Sequence, residues 1–205
     1  MKKVILFILV VCIGIVVSSF TNNNKKAFKF TFDPEAIHTV PTEEESFFQE
    51  INIPFNGKSF NGFREAVAFK ESQGRYHVVN TFGYLGKYQF GKSTLKRFNI
   101  HNAQEFLNTP ELQEDAFVAL CSVNKWILRK DIKRSVGKKI RGIEITESGI
   151  LAAAHLAGAG NVKKYLRSHG KSTFKDGYGS SVHHYMKLFS GFDTSFIEAN
   201  RKPIL

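Results

Sequence analysis

Hydrophobic residues return every three or four positions in several stretches of this chain, the spacing of helices with one buried face. Phe63, Val67 and Glu71 lie four apart, which predicts a short helix ending near Glu71 with Gly74 as its left-handed stop. Tyr76 to Phe90 instead alternates turn formers with aromatics, and is expected to fold back as a hairpin or tight loop over that helix end, forming one wall of a cleft. Ser93 can cap a short helix through Phe98, and another covers Ala103 to Leu107. Thr109-Pro110-Glu111 supplies a cap, a proline at the first helical position and an acid in the first turn. Leu112, Ala116, Leu120, Val123 and Ile127 then form a core-facing stripe, with Cys121 packed beside it and Trp126 assigned to the core.

The second half of the chain repeats this grammar. Thr146 caps a helix beginning at Glu147, and the small residues Ala152-Ala153-Ala154 permit close packing. Gly158 and Gly160 end it, with backbone freedom for a sharp turn close to a ligand, and Val162 to Arg167 starts a new helix. Lys171 to Ser180 reads as loop, and Ser181 to Phe189 as a last helix. The predicted fold class is α+β, mostly α, with one small β-hairpin.

The N-terminal quarter has a different texture. Lys2 and Lys3 precede an apolar run from Val4 to Val17, followed by Val17-Ser18-Ser19, the layout of a secretory signal over residues 1–19. The run is short for a spanning helix, so an uncleaved membrane anchor is the alternative. Residues 20–50, with Asn22-Asn23-Asn24, Pro34, Pro41 and Glu43-Glu44-Glu45, read as a linker. One domain is expected over 51–198 and a tail over 199–205. Export across the inner membrane to the periplasm or cell envelope follows, with membrane contact only through the N-terminal segment. Loss of the signal would remove Cys12 and leave Cys121 alone, so neither an intramolecular disulfide nor a cysteine metal site is expected.

Charge adds a partner class. The chain is formally +11, and removing Lys2 and Lys3 would leave +9. Arg129 to Arg141 is the densest basic stretch, with Asp131 its only acid. It reads either as a solvated helix end and loop or as a surface that attracts anionic envelope polymers. No nucleic-acid motif accompanies it, and nucleic acid is not an expected partner.

Glu71 is the candidate for chemistry. At the last turn of its helix the macrodipole is negative, and burial adds to this in favouring the protonated acid that general-acid catalysis needs. Its ordinary alternative is an exposed helix-end charge. Asp131, Glu144, Glu147 and Asp176 are possible second carboxylates, and no spacing rule selects one; each is expected to be a surface charge. Adjacent His183 and His184 diverge on a helix, and His155 has Ala159 rather than a ligand four residues on. No metal and no cofactor are expected.

Four segments occur in an order that resembles the lytic transglycosylases of the lysozyme-like superfamily. They are Glu71-Ser72, Gly86-Lys87-Tyr88-Gln89-Phe90, the run from Ala152 to Val162, and Tyr185-Met186, which together span about Phe60 to Gly191. The resemblance implies a lysozyme-like domain with its hairpin beside the catalytic helix. It also implies cleavage of the β-1,4 bond between N-acetylmuramic acid and N-acetylglucosamine in peptidoglycan glycan strands. Glu71 would be acid and then base, with Ser72, Tyr88, Gln89, His155 and Tyr185 around the sugar. His155, Leu156 and Ala159 depart from the family's Tyr, Asn and Pro, which puts substrate positioning in doubt and leaves open a muramidase that uses water. A non-catalytic wall-binding module is the reading from a different class.

Overall fold

The computed structural model describes residues 57–205. The expected signal, the linker and the first residues of the expected domain lie outside that range. Six helices and one strand pair make up the regular structure of these residues. Helix α1 is Phe60–Ser72, α2 Lys92–Arg97, α3 Ala103–Asn108 and α4 Pro110–Ser135. Strands β1 (Lys139–Ile140) and β2 (Ile143–Glu144) follow, then α5 (Glu147–Arg167) and α6 (Val182–Leu188). The fold class is α+β, mostly α.

Helix α1 starts where Ser59 Oγ accepts the Gly62 N–H at 3.1 Å. It buries Phe63, Val67 and Ala68 completely, so the four-residue spacing does mark its inner face. The left-handed stop falls on Gln73 (φ 59°), one residue before the expected glycine, and Gly74 continues with φ 77°. The Gln73 and Gly74 N–H groups return to the Phe69 and Ala68 carbonyls, closing the helix end next to Glu71.

Helix α4 rises about 39 Å at 1.5 Å per residue and packs against α3 and α5. Its buried face carries Ala116, Phe117, Cys121 and Leu128, whereas Leu112, Leu120 and Ile127 of the expected stripe are only half-buried. Trp126 is not a core residue. It is half-buried between the Arg129 and Arg201 guanidinium groups, 4.3 and 5.3 Å from its ring centroid. Burial pushes the Cys121 thiol far above its ordinary range, which makes it inert packing.

Helix α5 packs between α4 and α6. Thr146 caps it as expected, accepting the Gly149 N–H at 3.2 Å. Ala152, Ala153 and Ala154 are buried, and a Cβ at Gly149 would meet the Met186 carbonyl oxygen at 2.6 Å, so α6 sits very close. Gly158 adopts φ 76° and ψ 152°, non-helical values that divide Glu147–Arg167 into two helices across a kink, as expected from the glycine positions. Helix α2 begins at Gly91 without a side-chain cap, so Ser93 does not have the expected capping role.

The strand pair begins in the basic segment and ends just after it, and is not formed by the loop that follows α1. Arg141 (φ 49°) and Gly142 (φ 83°) form the two-residue connection that lets Ile140 pair with Ile143. Residues 76–90 carry only isolated bridges, Val79 with Leu85 and Leu85 with Phe90. The expected fold-back over the helix end occurs as a tight loop. Asp131 is not a surface charge: it is 2% exposed and held by Arg134 and Arg167. Burial alone would raise its carboxyl, but those two guanidiniums outweigh burial and hold it below the ordinary range.

Gln113, fully buried on α4, fastens the loop. Its Oε1 accepts the Lys87 N–H at 2.8 Å, and its Nε2 donates to the carbonyls of Phe106 (2.9 Å) and Tyr76 (3.1 Å). Gly86, at φ 73°, leaves room for it; a Cβ there would lie 2.1 Å from Gln113 Oε1. Gln113→Leu would keep the volume but strand a buried N–H and two buried carbonyls, so it should destabilise the fold by about 2–4 kcal/mol, measured by urea unfolding.

Candidate functional site

The last turn of α1, the 76–90 loop, the middle of α5 and the 171–181 loop converge on a cavity of about 420 Å³. Glu71, Gln89, His155 and Leu156 line it, together with Asn80, Phe82, Tyr84, Asp176, Gly177 and Tyr178. A second cavity of about 540 Å³ shares Phe82, Tyr84, Gln89, His155 and Leu156, and extends the cleft toward Lys92–Thr94 and Gly158. A larger cavity of about 730 Å³ lies at the other end of α1, against Phe60, Phe196 and Pro203–Leu205. It holds none of the candidate residues, so the cleft at Glu71 is the stronger site despite its smaller volume.

Glu71 is half-buried, and its Oε1 accepts a 2.8 Å hydrogen bond from the Tyr185 hydroxyl. Tyr185 stands on α6, whose first turn is capped by Ser181 Oγ accepting the His184 N–H. Burial first, then the neighbouring Glu71, pushes the Tyr185 phenol far above its ordinary range, so it stays a neutral donor. Among the described residues no other group bonds to the Glu71 carboxylate. One oxygen is thus fixed while the group still lines the cavity.

His155 Nε2 lies 2.8 Å from the Tyr88 carbonyl, so Nε2 carries the proton and donates. The ring stands edge-on to Phe90 and Phe117. Its Nδ1 is buried and has no hydrogen-bond partner. Gln89 occupies a left-handed position (φ 52°) at the end of a tight turn, and its Nε2 donates to the Gly86 carbonyl at 2.8 Å.

Three of the five expected sugar-contacting residues, Ser72, Tyr88 and Tyr185, line neither cavity. Ser72 is buried: its Oγ donates to the Lys87 carbonyl at 2.7 Å and accepts the Arg75 N–H at 2.9 Å, tying the helix end to the loop. Tyr88 is fully buried, stacks on Phe117 at 4.1 Å and donates its hydroxyl to Glu114 Oε2 at 2.6 Å. Both position the site from behind. Tyr185 also does so, through Glu71. Conversely, Asp176, expected as an exposed charge, lines the same cavity as Glu71.

Behind the loop lies a network that no local sequence signal marks. Lys87, 4% exposed, places its ammonium 2.8 Å from both Glu65 and Glu114 and 3.2 Å from the Tyr76 hydroxyl. Tyr76 and Tyr88 also donate to Glu114, and Arg64 approaches it at 3.2 Å. Burial would raise the Glu114 carboxyl, but hydrogen bonds from Lys87, Tyr88 and Tyr76 outweigh it and hold Glu114 below the ordinary carboxylate range.

Among the described residues there is no group of three or more His, Cys, Asp or Glu side chains placed to hold a metal. His183 is bonded through Nδ1 to the Tyr165 hydroxyl at 2.7 Å. No helix of the described residues is long and apolar enough to cross a membrane. Comparison of the chain with protein-family models, with curated proteins and with solved structures returned no match.

Two measurements follow. Because the Glu114 carboxyl is depressed on folding, its stabilisation is complete above the unfolded carboxylate range and is lost as pH falls through its folded value. The gap in melting temperature between the parent and Glu114→Gln should therefore be wide at neutral pH and close progressively as pH falls below about 4 toward the depressed folded value. Tyr185→Phe deletes only the hydroxyl that holds Glu71. If Glu71 is catalytic, turnover should fall about tenfold, and the loss of one hydrogen bond, worth about 1 kcal/mol, should lower the melting temperature by only a few degrees.

Proposed function

We propose that this protein is a peptidoglycan lytic transglycosylase with a lysozyme-like domain, exported to the cell envelope, in which Glu71 is acid and then base. The observation that carries the reading is the Glu71 carboxylate at the wall of a cleft, steered by Tyr185 at 2.8 Å, with Gln89 and His155 in the same lining. The residues that resemble the family's four segments thus meet at or directly behind one cavity.

The chemistry needs only one carboxyl group. Glu71 protonates the glycosidic oxygen as the bond from C1 of the muramyl residue breaks. The resulting carboxylate then takes the proton of the muramyl 6-hydroxyl as that oxygen bonds to C1. A 1,6-anhydro ring closes, Glu71 regains its proton, and no water is consumed. Tyr185 remains a donor throughout and fixes the carboxylate in the orientation that faces the glycan. The cleft of two joined cavities suits a linear polymer, and exposed Lys133, Lys138 and Lys139 suit an anionic wall.

Asp176 supports a second reading, hydrolysis. A second carboxylate beside the same cavity is what a water-activating glycosidase requires. Asp176 Oδ1 is engaged by the Tyr178 and Ser180 N–H groups at 3.0 and 2.7 Å, which favours a structural role and keeps transglycosylation first.

Glu71→Gln separates an enzyme from a wall-binding module. It keeps shape and hydrogen-bonding capacity but cannot deliver or accept the proton. Release of soluble fragments from purified peptidoglycan should fall by about 10²–10⁴-fold while sedimentation with sacculi is unchanged. Parent-level release by the folded variant would remove Glu71 from the chemistry.

A further inference from the structure

Two loops meet across the Glu71 cavity, and they are built alike. In Asn80-Thr81-Phe82-Gly83-Tyr84, the Asn80 Oδ1 accepts the N–H groups of Phe82 (2.9 Å) and Tyr84 (3.0 Å). The Gly83 N–H returns to the Asn80 carbonyl, and the Asn80 N–H to that of Tyr84. In Asp176-Gly177-Tyr178-Gly179-Ser180, the Asp176 Oδ1 accepts the N–H groups of Tyr178 and Ser180. The Gly179 N–H returns to the Asp176 carbonyl, and the Asp176 N–H to that of Ser180. The fourth residue is a left-handed glycine in both, and a single antiparallel bridge flanks each, Val79 with Leu85 and Lys175 with Ser181. Each turn therefore fixes the backbone that carries one aromatic residue, Phe82 or Tyr178, at its tip.

The tips touch. Phe82 and Tyr178 stand edge-on at 4.9 Å, and the Tyr178 hydroxyl lies 2.9 Å from Thr81 Oγ1. A Cβ on Gly177 would lie 2.9 Å from the Phe82 ring, so a side chain there would displace that ring from its present contact. Yet Phe82 is 58% and Tyr178 62% exposed, so the contact bridges solvent-facing turns and is not part of the core. The joined cleft is asymmetric as a result. Its Lys92–Thr94 arm holds no residue of the 176–178 turn, whereas the cavity that contains Glu71 has both turns on its rim.

We propose that these turns form an aromatic clasp that closes one end of the cleft, so that Glu71 acts on the ends of glycan strands. The strand enters along the Lys92–Thr94 arm, and its terminal sugar stops beneath Phe82 and Tyr178. Aromatic faces suit the apolar faces of pyranose rings, and the Tyr178 hydroxyl and Asn80 supply polar edges. The inference rests on the glycan-cleaving reading of Glu71.

The test compares the parent with Phe82→Ala/Tyr178→Ala on purified peptidoglycan, sampled at equal numbers of bonds cut. This readout is independent of overall rate. The parent should release small terminal fragments and leave the remaining strands long. The clasp-free variant should cut internally and shorten them. Identical strand-length distributions would overturn the proposal. If neither protein cuts, the functional reading has failed, and binding of the N-acetylglucosamine tetrasaccharide decides the clasp separately. About tenfold weaker binding by the variant, with its melting temperature retained, supports an aromatic sugar site. Equal binding, or none by the parent, overturns it.

Discussion

The Lys87 ammonium is buried between Glu65 and Glu114, and the site is assembled around that arrangement. An isolated charge there would cost several kcal/mol, so the loop can adopt this path only when both carboxylates and the tyrosine hydroxyls are in place. With Arg64 the cluster holds two cations and two anions, formally neutral. Three elements are fixed relative to one another in consequence: α1 through Glu65, α4 through Glu114, and the loop through Lys87 itself. The backbone on either side then has little freedom. The Lys87 carbonyl receives Ser72 from the end of α1, and the Tyr88 carbonyl receives His155 from α5. Glu71 and the opposite cleft wall are thus held by one polar core that neither of them touches.

That division explains what was legible in the sequence. Helix starts were readable at Pro110 and Thr146, because a first-turn proline or a cap acts locally, although the Thr109 hydroxyl expected to cap α4 instead donates to the Glu105 carbonyl. The spacing of Phe63, Val67 and Glu71 gave the inner face of α1 for the same reason. Gln113 and Glu114 were not readable. They sit among polar residues of α4 in a pattern that a solvated face would also show, and only the loop packed against them makes them interior. Ser72 and Tyr88 lie where the chain comes close to the cleft, but their side chains turn away to satisfy buried partners. The strand pair was expected in the wrong place. Residues 76–90 spend their backbone hydrogen bonds on turns, while Arg141-Gly142 provides the tight reversal that pairing needs. The paired turns at Asn80 and Asp176 do have a sequence signal, an Asn or Asp two residues before an aromatic and a glycine, although nothing local indicates that they face each other.

The chemistry proposed for Glu71 depends on keeping one carboxylate oriented through two proton transfers, in opposite directions, within one binding event. Tyr185 is suited to that task because it is buried, neutral and fixed on a helix whose backbone nearly touches α5. The closeness of α6 to α5 at Gly149 therefore bears on the proposed chemistry as well as on packing. It sets the distance from which Tyr185 reaches α1.

The central claim is that the new bond to C1 comes from the glycan's own hydroxyl. Digestion of purified peptidoglycan in water enriched in heavy oxygen, followed by mass analysis of the fragments, tests it directly. The account predicts anhydro-muramyl ends that carry no label. Reducing ends with one heavy oxygen at C1 would contradict it and identify the protein as a hydrolase.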